Sequence, residues 1–213
     1  MCGIFASNDP WISSSHKKIL NKHLKFRGPD FQSDLLKYKN WYIYHARLAI
    51  IGLKKKYNQP YECSDGSILL FNGEIFNFKE LSLNHFKIKN PESDTDVLSK
   101  LIVKDNFDYN NLDGFFSVIR ISKKGKLLNC ARDPFGVKPL FYYKRKKFIT
   151  ICSEPIVIKK IFNLKNNLSA LREHSLFRAP IFSNSFFKDI KIVEPGNCLV
   201  KGVHFDLLKE FLS

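Results

Sequence analysis

The second residue of this chain constrains it more than any other feature. Met1-Cys2-Gly3-Ile4 puts a thiol one residue from the start, and Cys is small enough to follow an excised initiator Met. Removal of Met1 leaves a thiol and a free α-amine on one Cα. The amine ordinarily titrates near 7.7–8.0 and the thiol near 8.5, both on the order of working pH. One residue then carries a sulfur nucleophile and its own base. The plainer reading is a small apolar residue buried at the start of a strand. On both readings, residues 3–7 form an apolar strand leading straight away from Cys2.

The pattern downstream is rich in short strands. Apolar runs at about 32–37, 41–51, 67–71, 115–121, 126–132, 140–143 and 148–152 read as strands, and Lys123-Lys124-Gly125 is a hairpin signal. Helices are expected from Ser13–Ser15 to about Phe26, from Phe78 to Leu83, from the Ser93-Asp94-Thr95-Asp96 segment onward, from Glu154 to Phe162 and from Leu168 to Phe177. Residues 163–195 otherwise read as loop, and Cys198–Val200 as a last short strand. Strands in hairpin order with interleaved helices predict an α+β sandwich of antiparallel sheets.

Composition narrows the function classes. With 213 residues, 44% hydrophobic and 26% charged, the chain has an ordinary globular make-up. The early Asp9 and Pro10 are unlike a signal peptide, and no apolar run has the length of a membrane span. Five scattered Cys without a CxxC, and six His without a close pair, argue for a reduced cytoplasmic compartment, no disulfide frame and no metal site. The net charge of +15 comes mostly from dispersed Lys, with short runs at Lys54–Lys56 and Lys144–Lys147. Arg, the better residue for base and phosphate readout, is scarce, so the charge reads as a solvated surface and not a nucleic-acid site.

Six motifs then occur in order: Met1-Cys2-Gly3-Ile4, Arg27-Gly28-Pro29-Asp30, Arg47-Leu48-Ala49-Ile50-Ile51, Phe71-Asn72-Gly73-Glu74-Ile75-Phe76-Asn77, Ser93-Asp94-Thr95-Asp96-Val97-Leu98 and Ala131-Arg132-Asp133-Pro134-Phe135-Gly136-Val137-Lys138-Pro139-Leu140. Together they resemble the class II (N-terminal nucleophile) glutamine amidotransferase domain of the asparagine synthetase (glutamine-hydrolysing) family. The resemblance implies a four-layer αββα sandwich with two antiparallel sheets over residues 1–203, with 204–213 as a tail or linker toward an absent synthetase domain. It implies Cys2, Asn72 and Gly73 as catalytic residues: the thiol attacks the side-chain amide of L-glutamine, and Asn72 and Gly73 supply N–H donors to the oxyanion. Arg47 would clamp the substrate α-carboxylate, Asp94 would take the α-ammonium, and Glu74 would contribute beside them.

Singly, each motif admits a plainer reading. Asn72-Gly73 reads as a turn, Arg47 as a strand-edge cation with a packed stem, and Ser93 with Asp96 as a capping box beside Asp94. Arg132-Asp133 reads as an ion pair or turn support. The ordered set behind a second-position Cys favours function for Cys2, Arg47, Asn72, Gly73 and Asp94. Phe26, Phe31-Gln32-Ser33 and Gly52 depart from the residues usual in the family. The resemblance places ATP and magnesium on the synthetase domain or a separate subunit, requires no cofactor in this chain, and is compatible with a homodimer. The alternatives are a stand-alone γ-glutamyl hydrolase and a non-catalytic glutamine-binding regulatory module.

Overall fold

The computed structural model describes residues 1–104, 107–180 and 185–200. Two antiparallel sheets carry the fold. The first is built on β1 (Gly3–Ser7), which pairs with β4 (Trp41–Arg47) on one side and β10 (Phe148–Cys152) on the other. Short β2 (Phe31–Gln32) and β3 (Leu36–Tyr38) both pair with β4, while β9 (Phe141–Arg145) and β11 (Ile190–Ile192) extend the far edge. The second sheet runs β5 (Tyr61–Glu62), β6 (Ile68–Ile75), β7 (Gly114–Ile121), β8 (Leu127–Arg132).

Alternation of side chains along these strands makes the layers. Ile4 and Ala6 of β1, Trp41 and Ile43 of β4, Ile68 and Leu70 of β6, and Ile119 and Ile121 of β7 bury one core between the sheets. Phe5, Tyr44 and Cys152 face the other way, against α1 (Lys17–Leu24) and α4 (Pro155–Phe162). Leu69, Phe71, Phe116 and Val118 pack on α2 (Phe78–Phe86) and α3 (Asp94–Leu101). The result is the αββα sandwich the motifs implied, with α5 (Leu168–Phe177) beyond it. Among the described residues no helix is long and apolar enough to cross a membrane.

Five local expectations fail. The strand expected over 41–51 ends at Arg47, because the next residues leave the sheet to pass over its end. Asn72-Gly73 is not a turn: β6 runs through it to Ile75, paired with β7 as far as Gly114. Ser93 does not form a capping box. It caps α3 only by its extended backbone, and its buried hydroxyl has no partner. The short β11 replaces expected loop, and the strand expected at Cys198–Val200 reduces to one bridge from Cys198 to Ala131. The tail 204–213 lies outside the described residues.

Candidate active site

At one end of the sandwich the inter-sheet layer changes from apolar to polar without changing its geometry. Continuing the inward-facing positions past Ile4, Ile43, Leu70 and Ile119 gives Cys2, His45 and Arg47, Asn72 and Glu74, and Ser117. Cross-strand pairing brings these together: Ile4 lies opposite His45 and Asn72 opposite Ser117. They meet α3 where Asp94 opens it. The cleft so formed holds a cavity of about 50 Å³, and its walls include Met1, Cys2, Arg47, Asn72, Gly73 and Asp94. Glu74 and Lys138 also line it, so every expected site residue reaches one cavity.

The Cys2 sulfur accepts a bond from the Leu48 N–H at 3.4 Å and lies 3.6 Å from the Leu48 carbonyl. Burial pushes the thiol pKa up, against the Leu48 bond and nearby positive charges. Arg27 fixes the residue from behind: its Nε donates to the Cys2 carbonyl at 3.0 Å and its guanidinium pairs with Glu154 at 2.5 Å. Ser153 holds both backbone groups of Ile4, its hydroxyl accepting from the N–H and its own N–H donating to the carbonyl. The α-amine of Met1 sits at the cleft mouth on a residue 48% exposed. Its pKa is lowered, first by burial and then by Arg27 and Lys138.

Asn72 is fully buried. Its amide nitrogen lies 3.5 Å from the Ser117 hydroxyl, and its amide oxygen has no partner. The edge of β6 beside it is prepared by Gln59. The Gln59 side chain donates to Phe71 O at 3.1 Å and accepts from Phe71 N at 2.6 Å, standing in for a missing neighbour strand. Backbone groups in a strand point alternately to either side, so Gly73 is the next residue to present its N–H on that edge. Opposite it, Phe116 turns its carbonyl to the Asp133 N–H on the β8 side. A side chain at Gly73 would sit 2.2 Å from the Phe115 carbonyl oxygen, so only glycine permits this strand pairing.

Asp94 is 3% exposed. Its two carboxylate oxygens accept the N–H groups of Ile75 at 3.2 Å and Thr95 at 2.7 Å. Burial raises its pKa to about 6 despite those bonds. His45 beneath the cleft is wholly buried and its pKa is lowered to about 3, chiefly by burial. Its Nε2 lies 3.2 Å from Phe71 O; the carbonyl can only accept, so Nε2 carries the hydrogen and the ring is neutral.

Arg47 is less free than a substrate clamp suggests. Its terminal nitrogens donate to Asn58 Oδ1 at 2.8 Å, to the carbonyls of Ile51 at 3.2 Å and Lys54 at 3.4 Å, and to that of Gly52. They pin the 51–58 loop over the cleft. Gly52 has φ +66°, and a Cβ there would lie 2.7 Å from Ser93 Cβ, which accounts for glycine at this departure from the family. Sequence reasoning missed Gln59, Arg27 with Glu154, and Lys138 as cleft-building residues. Arg27 and Lys138 lie within the ordered motifs, whereas nothing in the sequence singled out Gln59.

An N-terminal strand that delivers a Cys into the polar end of an αββα sandwich defines the N-terminal-nucleophile class of amidotransferase folds. The fold is shared with glutamine phosphoribosylpyrophosphate amidotransferase from B. subtilis (TM-score 0.56, 20% identity, 76% of this chain and 44% of that one). It is shared also with a structure described as the allosteric regulatory enzyme of purine biosynthesis (TM-score 0.63, 18% identity, 92% of this chain and 46% of that one). The chain belongs to the glutamine amidotransferase domain family, whose model matches residues 1–206. Among its relatives is the asparagine synthetase (glutamine-hydrolysing) of Asparagus officinalis, 35% identical over 149 residues. That match takes in 66% of this chain and 25% of the plant protein, so the chain spans only a fraction of the length of such relatives.

Proposed function

We propose that this chain is a glutaminase module. It hydrolyses the side-chain amide of L-glutamine to glutamate and ammonia through a thioester on Cys2, and hands the ammonia to an ATP-dependent synthetase domain or partner. The observation that carries this reading is the convergence of Cys2, Asn72, Gly73 and Asp94 in one cleft. After Met1 is removed, the α-amine of Cys2 takes the thiol proton as sulfur attacks the amide carbon. The Gly73 N–H, next along the edge that Gln59 completes, is one oxyanion donor. The second is the Asn72 amide: its nitrogen lies on Ser117 Oγ and its oxygen is unpartnered, and a turn of the amide about its terminal bond exchanges the two, so that the Ser117 hydroxyl donates to the oxygen and the NH₂ reaches the oxyanion. The amine returns the proton to the leaving ammonia, and water attacks the thioester by the same route.

Asp94 takes the substrate α-ammonium. Arg47 borders the α-carboxylate and holds the loop that closes over it, while Glu74 lines the same wall. ATP and magnesium belong to the synthetase part. Among the described residues no group of three or more His, Cys, Asp or Glu side chains is arranged to hold a metal. The reading carries a cytoplasmic location and is compatible with a homodimer.

The test is glutamate and ammonia release from glutamine by protein lacking Met1, against Cys2→Ala. Loss of hydrolysis in the variant is expected, and equal rates would overturn the reading.

A further inference from the structure

The segment after β8 carries more polar structure than a turn requires. Asp133 is fully buried, and its carboxylate accepts the N–H groups of Phe135 at 3.1 Å, Val137 at 2.9 Å and Lys138 at 2.9 Å. Arg132, also buried, donates to the carbonyls of Lys138 at 2.9 Å, Val193 at 2.9 Å, and Gly136. Lys138 is thus held at both backbone groups, its N–H by Asp133 and its C=O by Arg132. This motif supports a turn rather than forming an Arg132–Asp133 ion pair, and the turn aims one side chain.

That side chain is 8% exposed and lines the cleft with Met1, Cys2 and Glu74. No ion pair among the described residues includes it. A cation that lines a cleft without a counter-ion acts on whatever other charges form there, and here a rigid pedestal fixes the backbone that carries it. The other charges of the cleft are committed. Arg47 is spent on the loop, Arg27 on Cys2 O and Glu154, and Asp94 on two N–H groups. Lys138 instead acts on the chain's α-amine, which it and Arg27 push toward the neutral form while Glu74 and the Cys2 thiol oppose them.

We propose that Lys138 is a positioning residue whose fixed charge keeps the α-amine of Cys2 free of its proton, ready to accept the one from the thiol. The inference rests on the glutaminase reading for the amine's role as base. Removal of Met1 moves the amine one residue along the chain, about 3.8 Å between Cα atoms, to Cys2, which lines the same cleft as Lys138 and Glu74. A nearby cation disfavours a second cation, so the amine is neutral at a lower pH than it would be alone. The thiol proton goes to the amine as the S–C bond forms, and from the amine to the departing ammonia as the C–N bond breaks.

The experiment titrates the amine directly. Protein lacking Met1 and labelled with ¹⁵N-cysteine is followed by the Cys2 amine nitrogen shift from about pH 5 to 9.5. Lys138→Met keeps the packed stem, and Lys138→Gln serves if Met does not fold. Either should raise the amine midpoint by about half a unit to one unit, the effect of a unit charge in a partly screened site. Lys138→Arg should restore the parent value. An unchanged or lowered midpoint in the neutral variants overturns the inference. Glutamine hydrolysis by the parent protein is measured in parallel. Its absence would sink the glutaminase reading, whereas activity with an unmoved midpoint would sink only the role of Lys138.

Discussion

Asp94 offers the sharpest quantitative handle on the cleft. Its pKa of about 6 lies above the ordinary carboxylate value of about 3.9. The unliganded site therefore holds the charged form less favourably than water does. The sign follows: this group stabilises the fold below its unfolded pKa, and the contribution fades as pH rises through about 6. Two pKa units correspond to about 3 kcal/mol of strain in the charged form at neutral pH. A substrate ammonium relieves that strain, so glutamine binds the ionised form. In Cys2→Ala protein lacking Met1, which binds without turnover, calorimetry should show the glutamine Kd weakening about tenfold between pH 7.5 and 5. Asp94→Asn should remove this pH dependence and weaken binding at pH 7.5 by about 10–100-fold, the worth of a buried charge-assisted bond. The same variant should not gain the full 3 kcal/mol of stability, because an amide has one acceptor for the two N–H groups of Ile75 and Thr95. A flat Kd from pH 7.5 to 5 in the parent, or undiminished affinity in Asp94→Asn, would refute the assignment.

Other residues give independent checks. Asn72→Ala should lower kcat by roughly 10²–10³ with little change in KM, if its amide serves the oxyanion; steady-state kinetics showing the reverse pattern would remove it from that role. Arg47→Lys should raise KM by about tenfold, since an ammonium cannot replace the planar fork that holds the 51–58 loop; a fall in kcat alone would contradict this. His45, neutral in the fold, has a pKa lowered to about 3. Its contribution to stability is complete above about pH 6.5 and is lost as pH falls toward 3. Denaturant unfolding of His45→Leu should show a shallower acid slope than the parent, by about 3 kcal/mol at pH 4, and parallel slopes would count against a neutral buried ring.

Much of this architecture is legible in the sequence because alternation and turn chemistry agree. The β7–β8 hairpin follows from two apolar runs around Lys123-Lys124-Gly125, and α5 matches its expected span from Leu168 to Phe177. The layers are harder to read, since Phe5 and Ile4 are equally apolar yet face different cores. Local pattern misleads where a long-range partner decides. Asn72-Gly73 carries turn propensity, but β7 holds it in a ladder. Arg47 ends β4 because its guanidinium binds the loop that follows. The site residues emerged from motif order alone. Their convergence comes from positions on or beside three strands together with Asp94 at the start of α3, and no single stretch of sequence displays it. Lys138, Gln59 and Arg27 escaped because their roles depend on backbone groups that only the folded chain brings near.

The central claim is that Cys2, with a free α-amine, is the nucleophile. It is tested most directly by intact mass and peptide mapping after treatment with a glutamine-mimicking diazo ketone. The account predicts one adduct per chain, on Cys2, in protein that has lost Met1, and no adduct on protein retaining it. Modification at Cys63, Cys130, Cys152 or Cys198, or equal labelling and turnover with Met1 in place, would contradict it.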